Sequence, residues 1–447
     1  MSLPQQQSVQ AIRAAFLDFV GDPFYGAELE SVRYVPDGLL IVKAGTIADF
    51  GSYENLHEKY TGVAIADYSG KLIMPGLIDT HVHYPQYEMI AAYGEQLLEW
   101  LNKYTFPTEG KFKNKEYAQK IASLFLDELL KNGTTTALVF ATVHPESVDA
   151  FFEEACRRNL RMISGKVLMD RHAPDFLTDT LETAYEDSKR LIQKWHKNGR
   201  SLYAVTPRFA ATSTEEQLRL AGKLLKEFPD VYLHTHLSEN MREVEWIAEL
   251  FSDAEGYLDV YDRAGLVTDR SVFAHGIHLT DSEFGRLSAA KSAISFCPTS
   301  NLFLGSGLFK LHKAKAIDRP VKVGLGTDVG AGTSFSLLHT ASEAYKVVQL
   351  QQESLSAFKA LFLATLGGAK ALSLEDKLGN FEVGKEADFI VLNLHATPLM
   401  AVRNHSFPTD SILELADAVF GLIILGDDRA VHAVYVAGEL AHSLASV

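Results

Sequence analysis

The sequence predicts an α/β fold, a (β/α)8 barrel carrying a small β-sandwich domain built from both chain ends, and three observations predict it. The middle of the chain repeats a strand-then-helix rhythm. Continuous apolar runs there alternate with stretches of helical period such as YAQKIASLFLDELLKNG and TEEQLRLAGKLLKEF. Eight such runs fit within about 250–300 residues, the size of one barrel. Both ends read instead as short strands broken by glycine and polar turns. An open doubly wound sheet competes, but no glycine-rich dinucleotide fingerprint follows the first apolar run of the series.

The elements follow in order. Residues 1–72, including LLIVKAGTIADFG, form the first part of the small domain, residues 73–378 the barrel, and residues 379–447 the second part of the small domain. The barrel strands are expected in KLIMPGLIDTHVH (71–83), TTTALVFAT (134–142), RMISGKVLMD (161–170) and LYAVTPRFA (202–210). They continue in VYLHTHLSE (231–239), SVFAHGIHL (271–279), AISFCPTSN (293–301) and KVGLGTDVG (322–330). The last ~70 residues read as short strands. GNFEVGKEADFIVLNL holds one, bounded by Gly384 and Lys385, and AVHAVYVAGELAHS reads as a hairpin with Gly438 at its turn. The segment from Tyr84 to Gly110 is a long insertion after the first barrel strand, placed to fold over a pocket as a lid.

With 47% hydrophobic and 22% charged residues among 447, the composition is that of a globular chain able to bury a large core. A net charge of -15 argues against a nucleic-acid or anionic-membrane surface, while leaving a neutral base open as a small substrate. Two cysteines, Cys156 and Cys297, are too few for a disulfide framework or a four-cysteine zinc site. They fit a reducing cytosol, with both thiols packed rather than reactive. MSLPQQQSVQ lacks the basic and apolar regions of a signal peptide, and no apolar run approaches a membrane span. The expected location is cytoplasmic.

The unusual polar residues fall at strand ends. His81 and His83 end the first barrel strand, Arg208 the fourth, His236 and Glu239 the fifth; His275 lies on the sixth and Asp328 ends the eighth. Strand ends of a barrel meet at one rim, so residues far apart in sequence surround one pocket. Side chains two apart on a strand share a face, so His81 and His83 can share one ion. Three neutral imidazoles and a carboxylate suit Zn²⁺ or Fe²⁺, making His81, His83, His236 and Asp328 the expected ligands of one ion. An ion of this kind lowers the pKa of its water to about 7, and Glu239 is placed as proton shuttle, with His275 and Asp328 as further catalytic groups. Each residue also has an ordinary reading. His275 alone fits a polar rim position, Asp328 a helix cap, Glu239 a first helical turn, and His234 interior packing.

On these segments the chain resembles the amidohydrolase superfamily over nearly its whole length. PGLIDTHVH, HTHLSE, SVFAHGIHL and GLGTDVG match its metal-site segments in order, and GKEADFIVLN resembles its return to the small domain. A narrower resemblance, to the guanine-deaminating branch, rests on HYPQY, LLEWLNKYTFPTE (97–109), TPRF (206–209) and TDVGAGTSFSLL (327–338). It implies zinc on His81, His83, His236 and Asp328, substrate binding by Gln86, Arg208 and Phe209, and a homodimer. Members that bridge two metals use a lysine at the end of strand four. LYAVTPRFA has none, and Lys166 inside strand three is read as structural or loop-facing, so one metal is expected, as the resemblance to the deaminating branch implies.

Guanine recognition can be argued from the residues as well. Guanine presents adjacent O6 and N7 acceptors that arginine can meet bidentately, which turns C2 and its amino group toward the metal. Gln86, able to donate and accept, suits the remaining mixed edge, and Phe209 offers a stacking face. The ordinary reading of Arg208 is an ion pair with a rim acid. The competing functions are deamination of another ring (cytosine, a triazine, a modified adenosine) and a non-catalytic binding protein that keeps the fold.

Overall fold

The computed structural model describes residues 9–94, 96–407 and 411–444. The N-terminal MSLPQQQS, read above as free of a leader, and the last three residues lie outside the described residues, although both fall within the expected small domain. In chain order the strands begin with β1 (Val9–Phe19), β2 (Val32–Lys43), β3 (Thr46–Ser52) and β4 (Ile65–Pro75). The middle supplies β5 (Leu77–His83), β6 (Thr134–Phe140), β7 (Arg161–Gly165), β8 (Val167–Leu168) and β9 (Leu202–Pro207). After them come β10 (Tyr232–Leu237), β11 (Ser271–His275), β12 (Ala293–Phe296) and β13 (Lys322–Leu325). The C-terminal end adds β14 (Phe389–Leu392), β15 (Val431–Val436) and β16 (Glu439–Ser443).

Two sheets result, as expected. The ends combine into a seven-stranded mixed sheet in the order β16-β15-β14-β4-β1-β2-β3. The middle forms a parallel sheet in the order β13-β12-β11-β10-β9-β7-β6-β5, with β8 beside β9. It is nearly closed into a barrel. Beyond the end of β13 the seam is bridged by Asp328 N–H donating to His81 O and His83 N–H donating to Val329 O, both at 2.9 Å. Leu77–His83 is buried throughout, the polar side chains of Asp79, Thr80, His81 and His83 included.

Two sequence readings change. KLIMPGLIDTHVH is not one strand. It breaks at Gly76, with β4 in the mixed sheet and β5 in the barrel. A Cβ at Gly76 would stand 2.1 Å from Thr135 Oγ1, so only glycine lets the chain pass between the two sheets here. The C-terminal end is also less β-rich than expected, since Pro398–Arg403 and Ile412–Leu425 are helices. The second buries Leu415, Val419 and Leu422 and stacks Phe420 edge-on to Tyr345 of the helix Leu337–Leu350. A run as apolar as AVFGLIIL has no clear strand or helix period, so its partner decides its form. The hairpin reading holds: β15 and β16 pair antiparallel around Ala437 (φ 47°) and Gly438 (φ 76°), the two left-handed residues of a tight hairpin turn. Cys297 is buried and Cys156 half-buried, and neither is in a disulfide. No helix among the described residues is long and apolar enough to cross a membrane.

Candidate metal centre and active site

The strand ends converge as the barrel requires. His81 Nε2 lies 3.2 Å from His83 Nε2, and His83 Nε2 lies 3.3 Å from His236 Nε2. Asp328 Oδ1 stands 3.1 Å from His81 Nε2 and 3.3 Å from His83 Nε2. Four ligands about 2.0–2.1 Å from one tetrahedral ion are roughly 3.3 Å apart, so these donor spacings fit a single ion of zinc size. His275 also belongs to the cluster, together with His81, His236 and Asp328, all within 4.8 Å of one another. It stands further back, its Nε2 3.9 Å from Asp328 Oδ2 and 3.5 Å from Glu239 Oε2.

The protonation states suit the same purpose. Burial holds the imidazoles of His81, His83, His234 and His236 below the usual histidine range, His83 down to about 3, so they stay neutral at pH 7 with a lone pair to offer. Burial alone would push the Asp328 carboxyl up, but the facing His81 and His83 overcome it and hold the group well below the usual carboxylate range. His236 Nδ1 donates to the Arg208 carbonyl at 2.7 Å, which leaves its Nε2 lone pair directed into the cluster. His83 Nδ1, His234 Nδ1 and His275 Nε2 are buried and make no hydrogen bond within the protein.

Neighbouring residues lock this geometry. Asp79 accepts from the backbone N–H of both His81 and Thr327 at 3.1 Å and from the Thr327 hydroxyl, tying the histidine strand to the loop that carries Asp328. His234 does more than pack, since its Nε2 meets His81 Nδ1 at 2.7 Å. His275, Ser238 and Asp328, at or just beyond strand ends, all take left-handed backbone (φ 74°, 50° and 51°), a conformation costly for non-glycine residues. Neither helix reading applies. Glu239 precedes the cap Asn240 of the helix Met241–Leu250, and the helix after Asp328 is capped by Ser336.

Glu239 is buried, accepts from Ser306 Oγ at 3.2 Å, and is pushed up to about 8 by burial and then by the charge of Asp328. At pH 7 it holds its proton. Glu243 Oε2 accepts from the backbone N–H of Glu239 and Asn240 and so fixes where Glu239 stands. His275 Nδ1 meets Asn301 Oδ1 at 2.8 Å.

Gln86, Arg208, Phe209, His83, His236, Glu239, His275 and Asp328 line one pocket. Leu97, Trp100 and Leu101 of the insertion close its apolar side, as a lid would. Arg208 is both a pocket residue and one half of an ion pair: its Nη1 lies 2.7 and 2.9 Å from the two oxygens of Glu109. Gln86 Oε1 accepts from Gly330 N–H at 3.1 Å, and its Nε2 stands 3.4 Å from Glu109 Oε1. Lys166 lies away from this set, ion-paired with Asp179. Sequence reading missed Asp79, Glu109, Glu243, Asn301 and Ser306. Of these only Glu243 had a readable signal, as the fourth residue of the capping box N-M-R-E.

The amidohydrolase family model matches residues 72–441. The chain is 54% identical over 439 residues to the guanine deaminase of Escherichia coli (strain K12), covering 98% of each chain. A solved structure of E. coli guanine deaminase superimposes with a TM-score of 0.93 at 53% identity, over 97% of this chain and 99% of that one. Guanine deaminase from C. acetobutylicum, solved with guanine in its active site, gives a TM-score of 0.88 at 30% identity, over 97% and 100%. The chain belongs to the amidohydrolase family.

Proposed function

We propose that this chain hydrolyses guanine to xanthine and ammonia, using one zinc ion held by His81, His83, His236 and Asp328. The observation that carries the reading is the meeting of three things in one pocket: the imidazole–carboxylate cluster, a buried glutamate, and an arginine suited to a purine edge. The names of the relatives support it. The donor spacings and neutral imidazoles suit zinc, and ferrous iron would take the same ligands. When bound, such an ion brings the pKa of its water from about 15.7 to about 7.

The chain's own residues do the rest. Arg208 donates to O6 and N7 and so presents C2 to the histidine cluster, while Phe209 offers its ring to the base. As the water oxygen adds to C2, Asp328 takes the water's proton and Glu239 gives its own to ring N3. The proton on Asp328 then reaches the amino group by way of Glu239, the C2–N bond breaks and ammonia leaves, and the proton remaining on the added oxygen returns to Glu239 as xanthine forms. His275 hydrogen-bonds the adding oxygen. Leu97, Trp100 and Leu101 exclude bulk water. On the same reading the protein works in the cytosol as a homodimer, and residues 73–378 form its catalytic domain between the two parts of the sandwich.

Ammonia release is measured on guanine, cytosine, adenine and ammeline, with metal content determined in the same sample. The expected result is turnover of guanine far ahead of the other rings at about one metal per chain, abolished by chelation and restored by Zn²⁺. Turnover of another ring would overturn the assignments of Arg208 and Gln86. Inactivity at full metal occupancy would leave a binding protein.

The pH profile carries a second expectation. Glu239 must hold its proton to deliver it, so kcat falls as that proton is lost. The limb is expected at or below about pH 8, because a bound cation draws a neighbouring carboxyl down. A profile still rising at pH 9 would remove Glu239 from the donor role.

A further inference from the structure

Arg208 is held by one short segment of the insertion. The helix Phe106–Glu109 places the Phe106 ring 5.6 Å from the Arg208 guanidinium carbon and both Glu109 oxygens against Nη1. Among the described residues the guanidinium has no other hydrogen-bond partner, so Nε and Nη2 remain for a ligand. Glu109 is completely buried, and its second contact is Gln86 Nε2, on the other polar side chain of the pocket. One carboxylate thus touches both groups proposed to read the purine while standing outside the pocket lining itself.

We propose that Glu109 is the positioning and charge-cancelling residue for purine recognition. It fixes Arg208 and Gln86 in register with each other, and it makes the recognition pair electrically neutral. The inference rests on the guanine reading and deepens it. A lone buried guanidinium would favour an anionic ring, and xanthine loses a ring proton more readily than guanine does. The Arg208–Glu109 pair offers donors without net charge. It therefore selects the neutral substrate and does not retain the more acidic product.

Guanine kinetics and xanthine inhibition from pH 7 to 9 test this for the zinc-loaded wild type, Glu109→Gln, Glu109→Asp, Arg208→Met and the double variant Glu109→Gln/Arg208→Met. Glu109→Gln is expected to raise KM for guanine roughly 10- to 100-fold, more than it lowers kcat. Its xanthine inhibition should tighten with rising pH, while that of the wild type does not. In the Arg208→Met background the same substitution should change KM less than about threefold, because Glu109 acts through Arg208. If the Gln variant does not fold, Glu109→Asp decides: KM should rise while the pH dependence of xanthine inhibition stays as in the wild type. Variant KM and xanthine inhibition within twofold of wild type would overturn the inference, as would a KM effect that persists at full size without Arg208. A wild type inactive on guanine would overturn the activity reading itself; an active wild type with unaffected variants overturns only the role of Glu109.

Discussion

Glu239→Gln is expected to lower kcat by roughly 10²- to 10⁴-fold while leaving KM and metal content close to wild type. The amide keeps the size of the side chain and can still accept from Ser306, but it cannot carry a proton between water, ring and leaving amine. Metal content should hold because the closest donor spacings are those among His81, His83, His236 and Asp328, not Glu239. Stability provides an independent check. In the folded, metal-free chain the Glu239 carboxyl is raised from 4.5 to about 8, chiefly by burial. Below about pH 4.5 both folded and unfolded forms hold the proton, and nothing is lost. Between there and about pH 8 the unfolded chain gives up the proton and the folded chain keeps it, so stability declines as pH rises through that window. Glutamine has no such decline. Denaturant unfolding of the metal-free proteins should therefore find Glu239→Gln more stable than wild type at pH 8 relative to pH 5. An active, equally pH-sensitive variant would sink the role of Glu239.

Much of this was legible in the sequence because a barrel converts chain order into geometry. Each of the motifs PGLIDTHVH, HTHLSE, SVFAHGIHL and GLGTDVG lies on or just after a buried parallel strand, and such strands end at one rim. Parity alone puts His81 beside His83, and His234 beside His236. What parity cannot give is the partner across the barrel. That His234 supports His81 while His236 faces His83 depends on how β5 and β10 oppose each other through the interior. Glu109 was hidden for another reason. It comes from an insertion with no strand to fix its direction, and its partner lies 99 residues away. Asp79 sat in plain view before the histidine pair, yet its task is to bind the loop at Thr327, a contact created by closure of the barrel. The C-terminal helix Ile412–Leu425 was missed because apolar residues surround it almost evenly, leaving no period to read.

Arg208→Ala is expected to do two kinds of damage, separable by one further variant. Loss of the fork that meets O6 and N7 should raise KM for guanine roughly 10- to 100-fold and lower kcat as well, since C2 is no longer aimed at the histidine cluster. Stability should also fall. Arg208 and Glu109 are both buried, and removing the cation leaves a carboxylate without its counter-ion, a change that costs about 3–5 kcal/mol in comparable buried pairs. Gln86 Nε2 at 3.4 Å is too distant and too weak a donor to replace it. Arg208→Lys distinguishes the two effects. An ammonium can still neutralise Glu109, so much of the lost stability should return. It cannot present two parallel N–H groups to adjacent acceptors, so KM should stay high. Steady-state kinetics on guanine beside urea unfolding midpoints reads both at once. Recovery of stability without recovery of KM is the expected pattern. Recovery of both would mean that charge alone at position 208 serves the substrate, and the bidentate reading of the purine edge would fall.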